Sequence, residues 1–192
     1  MPESGPAASK VISDPTRGKR KRELHKLAVA RSDIAAALHA AELVVNRVQG
    51  LGDDLYMPLF HAAAIAYGRP FTHNRPYGAL GGKWERFTDP RLQQTHDTLI
   101  RVRDELVAHS DQSRRTVDII PGGTPLGEGR AAGRLMLSVA TSVFPLQRFQ
   151  DVAATCADLS SRLNEAVESL LRALFAGQPL PATEFPLTFD DD

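Results

Sequence analysis

Residues 89–111 read DPRLQQTHDTLIRVRDELVAHSD, and the fold and the functional reading both turn on this stretch. Asp89 followed by Pro90 is an N-cap followed by a residue preset for the first helical turn. The apolar positions then recur at threes and fours, so the spacing predicts a helix running to about Ala108. On a wheel of about 100° per residue, Leu92, His96, Leu99, Arg103, Leu106 and Ser110 fall within roughly 80° of one another. Gln94, Asp97, Arg101, Asp104 and Glu105 occupy the far side. Arg103 and His96 therefore lie inside the apolar stripe. A guanidinium in that position needs a carboxylate, a carbonyl cluster, a subunit interface or a bound anion, because an unpaired buried charge costs several kcal/mol.

On either side of this helix the chain reads as helical elements separated by turn signals. Leu24, Leu27, Arg31, Ile34, Leu38, Ala41, Val45 and Val48 form the stripe of a first helix that stops at Gly50. Asp53 and Asp54 are N-cap types and Gly68 suits a C-terminal cap, which sets a second helix at about 55–67. Pro145 opens a last helix whose face is Val152, Cys156, Leu159, Leu163, Ala166, Leu170 and Leu174, ending before Gly177. Between the third and last helices, Val117, Ile119 and Ile120 and then the alternating Leu135, Leu137, Val139, Thr141 and Val143 predict a long-looped β-hairpin at about 115–144. The expectation is a mainly α, four-helix bundle with an inserted β-hairpin, one domain over residues 19–177. A flexible Pro/Ser/Gly/Ala-rich tail is expected at 1–18 and a C-terminal tail at 178–192.

Composition narrows the function classes. The 192 residues carry formal net charge +0, so a polyanionic partner must be met by local patches. One such patch is Arg17, Lys19, Arg20, Lys21, Arg22 and Lys26, and the opposite extreme is the Asp190, Asp191, Asp192 end; a solvated terminus explains either equally well. Apolar residues make up 42% of the chain without a run long enough to span a bilayer or to serve as a secretory signal, so no membrane partner and a cytoplasmic location are expected. A single cysteine, Cys156, rules out a disulfide framework within one chain. No Gly-rich phosphate loop, HExxH or cysteine pair is present, so neither a metal nor a cofactor is expected.

The segment 69–88, RPFTHNRPYGALGGKWERFT, has no period and is longer than compact domains usually keep without a role. It holds Arg69, Arg75, Lys83 and Arg86 against Glu85 alone, interleaved with Phe71, Tyr77, Trp84 and Phe87. That mixture suits a strand of RNA, whose phosphates pair with cations and whose bases stack. It suits equally a lid in which Phe71, Trp84 and Phe87 cover the core and Arg69 caps the carbonyls ending the second helix. For the third helix, likewise, Arg103 either caps helix-end carbonyls or pairs with an acid while His96 is a satisfied core histidine, or the two belong to a site.

The string Arg103-Asp104, four residues, His109 resembles the motif of the HEPN superfamily, helical ribonucleases and their inactive relatives, in which Arg is followed by Asn, Asp or His and then, after four to six intervening residues, by His. Arg20 with His25 and Arg91 with His96 share the spacing, but only Arg103 has the polar neighbour. The longer pattern, His96 upstream, Ala108-His109-Ser110-Asp111 downstream, and Tyr67-Gly68-Arg69-Pro70-Phe71, is similar to a group of uncharacterised bacterial HEPN-like proteins. The resemblance covers about residues 55–111. The hairpin is an insertion relative to a minimal HEPN bundle, and on an ideal helix His109 sits about 120° from Arg103. The resemblance implies a metal-independent endoribonuclease of toxin or phage-defence type, or a non-catalytic relative binding RNA, a nucleotide or a partner protein. In the first case Arg103, Asp104 and His109 are the catalytic residues and Arg69, Arg75, Lys83, Arg86 and His96 bind substrate. Its expected partners are a second copy of the chain, RNA and an antitoxin.

Overall fold

A computed structural model describes residues 15–72, 77–107, 115–127, 129–141, 144–177, 183, 184, 186 and 187. Arg75 and His109, with Ala108, Ser110 and Asp111, lie outside the described residues, as do residues 1–14 and most of 178–192. The chain is mainly helical, with four α-helices and a hairpin between the last two. Helix α1 spans Pro15–Arg47, α2 Tyr56–Gly68, α3 Pro90–Val107 and α4 Phe149–Leu174. Each helix packs on two others in a closed ring, α1 with α2 and α4, α3 with α2 and α4.

Helix α1 begins at Pro15, inside the tail expected at 1–18. Proline's fixed φ is already helical and its missing N–H is one of those a first turn leaves unused, so Pro15 opens the helix before any apolar period is visible. The basic run is therefore helical surface: Arg17, Lys19, Arg20 and Arg22 are exposed and Lys26 pairs with Glu23 at 2.9 Å. The buried stripe of α1 is Leu27, Ala30, Ile34, Ala37, Ala41 and Val44, alternating steps of three and four. Arg31 and Val45, expected in the stripe, are exposed. Ala30 and Val44, one position earlier in each case, take the inward positions.

Before α2, Asp53 forms an Asx turn, accepting the Leu55 N–H at 2.9 Å on one carboxylate oxygen and the Gln49 N–H at 3.2 Å on the other. Leu55 itself occupies the N-cap position, so the aspartate acts two residues ahead of its expected place. At the start of α3, Asp89 Oδ1 accepts the Arg91 N–H at 2.8 Å, as the Asp-Pro signal predicts. Helix α4 is preceded by a 3-10 turn, Leu146–Arg148, and so starts four residues after Pro145. Past its end the chain turns at Gly177, with φ of 73°.

The hairpin pairs β1 (Arg115–Ile120) antiparallel with β4 (Met136–Thr141), Ile119 opposite Leu137. Its long loop folds back into a smaller ribbon, β2 (Pro125–Gly127) with β3 (Arg130–Ala131). Where the insertion rejoins the bundle, the Tyr56 hydroxyl donates to the Phe144 carbonyl and the Phe144 ring meets Phe149 edge-on at 5.6 Å and Phe60 at 6.4 Å. No helix among the described residues is long and apolar enough to cross a membrane.

Candidate functional site

The wheel places Arg103 in the apolar stripe, and its side chain is only 14% exposed. The guanidinium lies against the C-terminus of α2. Nη2 donates to the Gly68 carbonyl at 3.2 Å and to the Thr72 hydroxyl, and Nη1 donates to Asp104 Oδ1 at 2.5 Å. The Thr72 hydroxyl in turn donates to the same Gly68 carbonyl at 3.0 Å. A helix leaves its last carbonyls without intrahelical donors and with a partial negative charge, so a cation there is doubly favourable. Arg103 supplies what the sequence assigned to Arg69. The latter is exposed and reaches back to Asp33 of α1 at 3.5 Å.

Gly68 makes this approach possible. Its backbone is helical, with φ of −77°, so it does not end α2 through a left-handed conformation. A Cβ at this position would lie 2.7 Å from Arg103 Cγ and 2.8 Å from Nε. Only a residue without a side chain lets the guanidinium lie flat on the helix end. Of the five N–H groups of the guanidinium, three are engaged by these acceptors; Nε is buried without one among the described residues.

About two turns earlier on α3, His96 is 4% exposed. Its Nδ1 shares a hydrogen bond of 2.8 Å with the Tyr67 hydroxyl, and the rings of Phe71, Phe87 and Tyr67 surround it at 4.9, 5.5 and 5.8 Å. Burial holds the imidazole below its ordinary pKa against the opposing pull of Asp97 and Glu85. Burial likewise pushes the Tyr67 phenol well above its usual value. Both groups are therefore neutral at neutral pH. Thr95 and Val102 share the buried face, and the polar far side predicted for Gln94, Asp97, Arg101 and Asp104 is exposed.

His96 and Asp104 line one open cleft of about 410 Å³, together with Phe71, Glu85, Asp97 and Glu105. Ile100 and Arg101 complete it, so carboxylates outnumber cations on its walls. Lys83, Arg86 and Arg69 do not line this cleft. Trp84 is buried and Phe71 and Phe87 pack against the core, so the aromatics of the 69–88 segment form a lid. Lys83 and Arg86 project outward from it, the ammonium of Lys83 lying 4.7 Å from the Trp84 ring. Arg162 of α4 pins the lid: its Nη1 donates to the carbonyls of Lys83 and Arg86 at 3.0 and 3.1 Å, and its guanidinium lies 4.6 Å from the Phe87 ring. Neither Arg162 nor Thr72 nor Tyr67 was marked as site-forming by the sequence. Each acts through a partner more than 25 residues away, which no local pattern encodes.

The arrangement thus brings Arg103, Asp104 and Thr72 together at the end of α2, with His96 behind an aromatic wall. Among the described residues no group of His, Cys, Asp and Glu is arranged to hold a metal ion. Cys156 is buried in α4, and burial pushes its thiol up to about 12, which leaves it without a nucleophilic thiolate. Comparison with known proteins returns no match: no family model fits the chain, and no curated protein or solved structure is similar to it.

Proposed function

We propose that this chain is a HEPN-like protein acting on RNA as a homodimer, a metal-independent endoribonuclease of toxin or phage-defence type. The observation that supports it is the state of Arg103. A desolvated guanidinium is braced on Gly68, Thr72 and Asp104, six residues before His109 in sequence, with two of its five N–H groups not engaged by these acceptors. Fixed donors in a water-poor setting stabilise developing phosphorane charge far better than mobile ones in solvent.

Cleavage without a metal requires a base to take the 2′-hydroxyl proton and an acid to protonate the departing 5′-oxygen. The 2′-oxygen attacks phosphorus as the 5′-oxygen leaves, giving a 2′,3′-cyclic phosphate and a 5′-hydroxyl. His96 is a poor candidate for either role, since it is buried, held neutral and bonded to Tyr67. His109 supplies one imidazole per chain, and a two-fold axis would supply the second, one acting as base and the other as acid. In this scheme Asp104 orients Arg103, and Arg69, Arg75, Lys83 and Arg86 attract the strand. An antitoxin-type partner belongs to the same proposal.

The acidic cleft supports a second reading, a non-catalytic module. Glu85, Asp97, Asp104 and Glu105 beside His96 repel phosphates, and three of the five Arg103 N–H groups are already taken by Gly68, Thr72 and Asp104. Labelled RNA incubated in EDTA separates the two. Cleavage to 2′,3′-cyclic phosphate ends, lost in Arg103→Ala and His109→Ala, supports the nuclease. Binding without cleavage, unchanged in His109→Ala, overturns it in favour of the module.

A further inference from the structure

The β1–β4 ribbon stands apart from the bundle it interrupts. Its strands pair with each other alone, giving a two-stranded sheet with both outer edges unpaired among the described residues, and no helix packs substantially across it. Such a ribbon is marginal in water unless a third strand or a second layer covers it. Its side chains are nevertheless apolar where they are most exposed. Ile119 is 66% exposed and its cross-strand partner Leu137 is 69% exposed, and Leu135, just before β4, is 68% exposed. Leu126, near the tip, at 44% adds to the apolar surface of the arm, and Met136, 40% exposed, lies on the other side of the pleat. A soluble domain rarely leaves large apolar side chains contiguous and uncovered unless they meet a partner.

We infer that this arm is a self-association surface, and that its occupant is the same arm of a second copy of the chain. Three observations favour a second copy. The centre of the face is a cross-strand pair of uncharged residues, Ile119 and Leu137, so that a two-fold axis running across the strands at this pair sets leucine against leucine and isoleucine against isoleucine with no buried charge. Asp118 stands at the neighbouring register position, on the opposite side of the pleat, and is exposed. The chain carries formal net charge +0, so two copies approach without net repulsion. In size, the exposed apolar side chains amount to on the order of 500 Å² per copy and roughly 1,000 Å² per pair, the lower end of a specific interface. The inference rests on the homodimer part of the proposed function and names where the copies meet.

Sedimentation velocity of the full chain from 1 to 100 µM is the test, with an Ile119→Asp/Leu137→Asp double variant beside it. A wild-type dimer whose dissociation constant rises at least tenfold in the double variant, with far-UV circular dichroism unchanged, is the expected result. A Leu137→Cys chain, in which the native Cys156 is buried, gives an independent readout and should form a covalent dimer on mild oxidation. A wild-type monomer at 100 µM overturns both the arm interface and the homodimer. A dimer that survives the double substitution, or a Leu137→Cys chain that stays monomeric on denaturing gels, overturns the arm alone. A wild-type monomer would also remove the two-imidazole site of the proposed nuclease, whereas failure of the arm alone leaves that proposal standing.

Discussion

Arg103 rests on Gly68 so closely that any side chain at residue 68 would intrude on it: the guanidinium donates to the Gly68 carbonyl at 3.2 Å while a Cβ there would lie 2.7 Å from Arg103 Cγ. Residue 68 has ordinary helical backbone angles, so on helix propensity alone alanine would be favoured by about 1 kcal/mol. The contact reverses that sign. Gly68→Ala is expected to destabilise by about 1–3 kcal/mol through overpacking, which in a chain of this size lowers the melting temperature by about 3–10 °C. Thermal unfolding followed by circular dichroism checks it, and a melting temperature at or above wild type would show that Arg103 moves aside freely.

Thr72 and Arg103 share the Gly68 carbonyl, and their energies should be coupled. Thr72→Val removes a hydroxyl that donates to Gly68 and accepts from Arg103. Arg103→Lys replaces a planar fork with a point charge that cannot reach all three acceptors. Each single variant is expected to cost about 1–2 kcal/mol, and the double variant less than their sum by about 1 kcal/mol. Urea unfolding of the four proteins measures this. Strict additivity would mean that the two side chains act independently.

His96 titrates in a way that links stability to pH. Its folded pKa lies below the ordinary value, so as pH falls below about 6.5 the unfolded chain binds a proton that the folded chain refuses. The stability associated with neutral His96 is full above that pH and is lost as the pH drops toward the folded pKa. Melting temperatures should therefore decline from pH 7.5 to pH 5, and the decline should be shallower in His96→Gln, which keeps a partner for the Tyr67 hydroxyl. Equal slopes for the two proteins would assign the decline to other groups.

Cys156 should be silent in the native state. With its thiol buried in α4 and raised to about 12, reaction with Ellman's reagent at pH 8 is expected only after unfolding in guanidinium chloride. Rapid labelling without denaturant would mean that α4 opens readily against its neighbours.

Local signals carried most of the architecture and little of the site. Asp89-Pro90 starts α3 because capping and a fixed φ are properties of two adjacent residues. The wheel placed Arg103 and His96 on the buried face because helical periodicity needs only one segment. What Arg103 touches was open, since Gly68 and Thr72 come from a different helix and a turn 31 and 35 residues away. Gly68 invited a reading as a left-handed cap, whereas its role is to leave room. Helix α1 reaches back to Pro15, inside the expected tail, because a basic solvated turn has no apolar period to reveal it. In the loop at 69–88 Trp84 goes into the core while Lys83 and Arg86 stay outside, set by a 3-10 turn that no periodicity announces.

The proposed chemistry is tested most directly through His109, because Arg103 also braces the fold and its loss would confound activity with stability. Single-turnover cleavage of a 5′-labelled RNA at pH 7 in EDTA, measured for wild type and His109→Ala with melting temperatures recorded in parallel, isolates the imidazole. The expected result is cleavage by wild type with a rate at least 100-fold lower in His109→Ala at an unchanged melting temperature, the scale of one lost general acid or base. Intact RNA with the wild-type protein, or equal rates in the two, would contradict it.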